Sequence, residues 1–270
     1  ASRDLAAAIY RYNEYKFDKN IYVVGIPQAL HFKQVFSVLK KAGYEWADNC
    51  EHVGFGLVKF KDGKFSTRDG NIVLLEDLLN EAVEKTYEVI VENNKNRGNE
   101  LTEEEMREIA EKVGLGAVVY TYVKSGRERD IFFSWEEMLD FEGDTAPYLI
   151  YTYARTRSIL RKAKASGLVP FESGDEALKV LSSEEEYQLI RTLADFPESI
   201  SKAANANEPF MISRQISTCA RSFNRFYNNS SILNAETEEL KRARLSLCEC
   251  LCNTLKSGLN LLGIDVVERM

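Results

Sequence analysis

Lys59, Lys61, Lys64 and Arg68 place four cations within ten residues, and Ser66 and Thr67 add two hydroxyls among them. Cations and hydroxyls gathered on one loop can neutralise and hydrogen-bond a polyanion such as a triphosphate. Asp62-Gly63 and Asp69-Gly70 bracket the set. Both pairs are turn chemistry that tolerates positive φ, so the loop is hinged at each end. The G-x-x-x-x-G-K-[ST] spacing is missing, and a fixed P-loop cradle is not expected. On residue types alone, a solvated hairpin turn is the competing reading.

Periodicity and punctuation define the elements around this loop. Asn20 to Gly25 (NIYVVG) reads as a buried strand. Gln28 to Lys41 reads as a helix with Leu30, Phe32, Val35, Phe36, Val38 and Leu39 on a broad apolar side, closed by Gly43. Strand, loop and helix make an α/β unit, whose ligands gather at the C-terminal strand end, here Gly25 to Gln28. Glu51 to Phe60 is an alternating strand that delivers the chain into the basic loop, and Gly54 and Gly56 leave room for a close neighbour. Beyond the loop, Leu75, Leu78, Leu79, Ala82 and Tyr87 mark a helix, and Asn93 to Glu100 is a charged break. Thr102 with Glu105 forms a capping box for a helix through about Val113, with Glu103 to Glu105 as its solvated start. Gly114 to Tyr122 and Asp130 to Trp135 read as short strands or extended connectors, and Trp135 to Phe141 as a brief helix.

A domain boundary near Gly143 divides the chain into segments 1–142 and 143–270, α/β followed by all-α. Asp144 or Thr145 caps a helix with Pro147 in its first turn that runs to Gly167. Helices follow at Ser183 to Ala194, with Ser183 and Glu186 as a capping box, and at Pro197 to Ala204, Phe210 to Tyr227 and Thr237 to Leu262, the last closed by Gly263. The helix after Pro147 carries Tyr151, Arg155, Arg157, Arg161 and Lys162 away from its apolar stripe. Cations recur at Arg214, Arg221 and Arg225 and at Lys241, Arg242 and Arg244, with Phe223, Phe226 and Tyr227 nearby. Each cluster alone is consistent with plain surface. Together, cations beside aromatics suit RNA, whose phosphates take the charge and whose unstacked bases take the rings.

Composition sets the limits. The 270 residues suffice for two domains, and no apolar run is long enough to span a bilayer. No signal-peptide pattern opens the chain, so it reads as cytosolic. It begins at Ala1 in a helical pattern without an initiating methionine, which suggests a piece of something longer. The five cysteines lack paired spacing. Cys248, Cys250 and Cys252 cannot all face one ion from a helix, so they read as small buried apolar residues, and no bound metal is expected. The net charge of -7 is uneven, with 19 Lys+Arg against 25 Asp+Glu in residues 1–140 and 16 against 17 in 141–270. A local basic face can still bind phosphates because distant charges are screened.

The stretch KFSTRDGNIVLLEDLL, from Lys64 to Leu79, resembles the KMSKS loop of class I aminoacyl-tRNA synthetases in its arginyl-tRNA synthetase form, usually KMSTR. Lys64 stands at the first lysine, Phe65 at the methionine and Thr67 at the second lysine, leaving Lys61 or Arg68 to supply that charge. SRDLAAAIYR and IYVVGIPQALHFKQVF resemble the second half of that family's nucleotide-binding fold. FEGDTAPYLIYTYARTRSILRKA, RSFNRFYNN and the stretch from RARLSLCEC to Met270 resemble its helical anticodon-binding domain, with Val267 where a proline is common.

The resemblance implies a parent enzyme that activates arginine with ATP and esterifies tRNA(Arg), with Mg²⁺ accompanying ATP and no other cofactor; this chain alone, without a HIGH motif, is expected to bind tRNA but not to activate arginine. It implies a monomeric parent with no DNA or membrane partner. It assigns Lys64 and Ser66 to catalysis, and Lys61, Lys64, Phe65, Ser66, Thr67 and Arg68 to ATP. Asp4, Gln28 and His31 are assigned to the arginine guanidinium, although His31 is equally consistent with a packed structural role. Tyr151, Arg155, Arg161, Arg214, Arg221, Arg225, Phe226 and Met270 are assigned to tRNA. His31 and His52 are the only histidines, and neither forms the HIGH motif of the family. A non-catalytic tRNA-binding or regulatory paralogue is therefore the rival reading. A phosphate-binding α/β domain with a helical interaction module is a third.

Overall fold

The computed structural model describes residues 2–60, 74–96, 100–172 and 176–270. Lys61, Lys64, Phe65, Ser66, Thr67 and Arg68 lie outside the described residues. The chain forms two compact units, Ala1–Lys59 with Gly126–Phe132, and Phe60–Ser125 with Phe133–Met270.

The first unit runs α1 (Ser2–Tyr15), β1 (Asn20–Gly25), α2 (Ala29–Lys41) and β2 (Cys50–Phe55). β1 and β2 are parallel, with Asn20 opposite Cys50 through to Gly25 opposite Phe55. The helix between them is the crossover that parallel pairing requires. Its apolar stripe buries Phe32, Val35 and Leu39, and Ala8 of α1 and Ala47 join that core. Gly43 takes a φ of 90°, which L residues resist, and ends the helix as expected.

The single strand expected over Glu51 to Phe60 is broken. β2 stops at Phe55, and β3 (Val58–Phe60) pairs instead with β4 (Ile131–Phe133). The segment before β4 takes the backbone groups at the break. Gly56 N–H donates to the Arg127 carbonyl at 2.8 Å, and Leu57 N–H to Asp130 Oδ1 at 2.8 Å. A Cβ at Gly56 would run into the Arg129 backbone, so this is the close neighbour the glycine admits.

The second unit contains α3 (Leu75–Asn96), α4 (Glu103–Val123), α5 (Trp135–Met138), α6 (Ala146–Ala165), α7 (Glu184–Ala194), α8 (Phe196–Ala206), α9 (Phe210–Asn229) and α10 (Glu238–Leu261). Both capping boxes form, Thr102 with Glu105 and Ser183 with Glu186, and Thr145 caps α6 ahead of Pro147. Its core draws Leu149, Ile150, Ile216, Phe223, Leu245, Leu251 and Leu255 from α6, α9 and α10. Although α3 and α4 precede Gly143, they pack with these helices.

Gly114 to Tyr122 is helix, not strand, because α4 continues to Val123. The helix is apolar on most sides, the pattern of a buried helix, so the amphipathic period that marks a surface helix is missing. Its glycines admit neighbours. A Cβ on Gly114 would sit 2.9 Å from Val83 Cα of α3, and one on Gly116 would sit 2.8 Å from Ile264 Cγ2. Cys248 and Cys252 are buried, and burial pushes both thiols up, Cys252 to about 12. Cys250 is exposed, contrary to the reading of all three as buried.

Candidate functional site

In the first unit, Asp4 occupies the first turn of α1 and His31 the first turn of α2. His31 Nε2 lies 3.0 Å from Asp4 Oδ2, joining residues 27 positions apart. Partial desolvation pulls the Asp4 carboxyl upward, but its partners, His31 first among them, hold it below the usual carboxylate range. It is an ionised acceptor at neutral pH. Gln28 is exposed at the end of the 3-10 turn after β1, where α2 begins. An anionic fork with an amide within one helical turn of its histidine partner can satisfy a planar, permanently charged cation directionally.

His52 was not among the expected site residues. Its Nε2 lies 2.8 Å from the Val24 carbonyl, and its ring stacks on Phe32 at 4.9 Å. It thereby ties β2 to the C-terminal end of β1. Sequence shows a histidine on a strand but not what its ring meets. Lys59 lies 2.6 Å from Asp130 and 6.0 Å from the Phe132 ring centre, so its charge already has a partner in this unit.

In the helical unit the expected RNA-facing residues separate into distinct environments. Arg155 lies over the Tyr227 ring at 4.7 Å and beside Tyr151 and Phe223 at 5.6 and 6.0 Å. It donates to Asn224 Oδ1, and Asn224 Nδ2 donates to the Tyr148 hydroxyl at 2.6 Å. Phe226 corrects the expectation of a base-stacking ring. It is fully buried beside Phe223, so it packs the core, whereas Tyr227 next to it is exposed.

Arg161 donates to the Glu268 carbonyl at 2.9 Å and is drawn to the segment after α10. Arg214, Arg221 and Arg225 are exposed on α9. The last two line a polar depression with Glu184, Glu185, Gln188 and Asn229. Tyr151 and Met270 line a cavity of about 300 Å³ with Asn93, Glu100, Phe141 and Arg269. Among the described residues no cluster of three or more His, Cys, Asp or Glu side chains could hold a metal ion. None of the described helices is long and apolar enough to cross a membrane.

Two family models match the chain. Residues 1–135 match the family described as tRNA synthetases class I (R), catalytic domain, and residues 149–270 match the DALR anticodon binding domain. The arginine–tRNA ligase of Clostridium kluyveri is 51% identical over 270 residues, which is all of this chain and 46% of that protein. That of Clostridium botulinum is 53% identical over the same span. The chain thus spans about half the length of the curated relatives it matches. Among solved structures, Thermus thermophilus arginyl-tRNA synthetase superposes with a TM-score of 0.79 at 31% identity, over 93% of this chain and 41% of that one. The Plasmodium falciparum arginyl-tRNA synthetase gives 0.78 at 25% identity, over 99% and 44%. The chain therefore belongs to the arginyl-tRNA synthetase family of class I tRNA synthetases, as a catalytic-domain segment followed by a DALR anticodon-binding domain.

Proposed function

We propose that this chain is the C-terminal part of an arginine–tRNA ligase, holding the arginine-facing and lysine-loop half of the catalytic domain and, from about Gly143, the anticodon-binding domain. The observation that carries this reading is 51–53% identity to arginine–tRNA ligases along all 270 residues. The parent activates arginine with ATP, Mg²⁺ accompanying the nucleotide, and transfers it to tRNA(Arg). Five free thiols are compatible with a reducing cytosol.

The chemistry needs no covalent enzyme intermediate. The arginine carboxylate attacks the α-phosphate, and the protein contributes positioning and charges placed where the departing pyrophosphate gathers negative charge. Lys64 is assigned that role, with Ser66 donating beside it and Lys61, Phe65, Thr67 and Arg68 completing the nucleotide contacts. Asp4 and Gln28 take the arginine guanidinium, and His31 fixes the Asp4 carboxylate through the contact at 3.0 Å. Arg155, Arg214, Arg221 and Arg225, with Tyr151 and Met270, form the RNA-facing set.

Two substitutions in the complete enzyme separate these roles. Lys64→Ala should slow adenylate formation by about 10² to 10³ with little change in arginine binding, the usual loss for one transition-state charge contact. Asp4→Asn should instead raise the arginine KM, because it removes the charged partner of the guanidinium. Adenylate formation within threefold of wild type for Lys64→Ala, or an unchanged KM for Asp4→Asn, would contradict the respective assignment.

A further inference from the structure

The segment after α10 packs onto the helical unit, and one carboxylate gathers several of its contacts. Gly263, with φ 75°, turns the chain out of the helix, and Ile264 and Val267 are buried in the core of the unit. Glu268 follows, and three residues of α6 converge on it. The Tyr153 hydroxyl donates to Oε1 at 2.8 Å, Arg157 Nε donates to Oε2 at 2.7 Å, and Arg161 donates to the Glu268 carbonyl at 2.9 Å. Tyr153, Arg157 and Arg161 are spaced by four residues, so they share one stripe of the helix. Beyond Glu268, Arg269 reaches to 3.8 Å from Glu105 of α4, and Arg269 and Met270 line the 300 Å³ cavity beside Tyr151.

We propose that Glu268 is a positioning residue for RNA binding, whose carboxylate clamps residues 264–270 onto α6 and so sets Arg269 and Met270 beside Tyr151. This rests on the tRNA-binding reading above and deepens it. A single exposed ion pair would hold the segment weakly, and the Arg157 and Glu268 side chains are 39% and 54% exposed. Here one carboxylate collects a hydroxyl and a guanidinium while its own backbone carbonyl takes a second guanidinium. Two buried apolar anchors precede it. The arrangement also gives Arg157 and Arg161 a negative partner within the protein. Their part is then to hold the segment, and Arg161 is not the phosphate contact that its basic surroundings in the sequence suggest.

The test is binding of an arginine tRNA transcript to the 270-residue chain over a salt series, for Glu268→Gln, Arg157→Met, the double variant and Arg161→Met. Glu268→Gln and Arg157→Met should each weaken binding by about tenfold at every salt concentration, within what a displaced positioning group costs. The slope of log affinity against log salt should stay that of wild type, because it counts phosphate contacts. The double variant should be no worse than the weaker single one, since both break the same clamp. The thermal midpoint should move little, while amide exchange of residues 264–270 accelerates.

Wild-type affinity in Glu268→Gln would overturn the proposal, as would additive losses in the double variant. A slope reduced by about 0.7–0.9 in Arg161→Met would also overturn it, by marking a direct phosphate contact. Should Glu268→Gln fail to fold, Arg157→Met carries the same test from the α6 side. A wild-type chain that binds no tRNA would refute the RNA-binding reading, and that result precedes any comparison of variants.

Discussion

Glu186 closes the capping box of α7 and also meets Arg244 of α10 at 2.7 Å, with side chains 2% and 13% exposed. Burial raises its pKa, but the Ser183 and Ser182 amides and the Arg244 guanidinium outweigh that and leave it lowered from 4.5. A carboxyl whose folded pKa is depressed contributes stability above its unfolded value and loses it as pH falls toward the folded one. The helical unit should therefore weaken below about pH 4.5, the ordinary range of an unfolded glutamate. Glu186→Ala leaves Arg244 largely buried without its carboxylate and should cost about 3 kcal/mol, read from urea denaturation near neutral pH. Denaturation within 0.5 kcal/mol of wild type, as at an ordinary surface position, would show that the pair is dispensable. Half of this residue was legible in the sequence, because Ser-x-x-Glu marks a helix start. Its partner 58 residues away was not, since long-range pairing leaves no local pattern. The contact between Asp4 and His31 is the same case, with both residues named from family resemblance and their meeting visible only in the fold.

Elements whose two faces differ were legible, and those buried on several sides were not. α2 could be read from a stripe on one face and a terminal glycine, and α7 from its capping box. The second half of α4 could not, because VGLGAVVYTYV offers glycines and β-branched residues where an amphipathic period would be. In the fold those glycines serve contact between helices. Gly114→Ala should gain about 1 kcal/mol of helix propensity and lose more to the collision with the α3 backbone. The expected net is destabilisation by about 1–2 kcal/mol, measured by chemical denaturation. Gly126→Ala is the control in the first unit, where a Cβ meets nothing within 4 Å and the change should stay within about 0.5 kcal/mol. Equal effects at both positions would mean that packing at Gly114 is not what its glycine serves. The break at Gly56 was half legible, as room for a neighbour, while the identity of that neighbour, residues 127–130, depended on pairing more than 70 positions away.

For the whole molecule, the order of an α/β segment and a helical segment followed from punctuation and periodicity alone. The placement of α3 and α4 with the helical unit did not, because it depends on which apolar faces meet. The RNA-binding surface proposed for the helical unit belongs to a chain whose net charge is -7. Local cations must then do what the total charge opposes, so affinity should be modest and steeply dependent on salt. The most direct measurement is filter binding of the 270-residue chain to an arginine tRNA transcript from low to physiological salt. With Arg214, Arg221 and Arg225 each meeting a phosphate, log affinity should fall against log salt with a slope of about -2 to -3. Binding that is absent, or that does not change with salt, would contradict the role given to the helical unit.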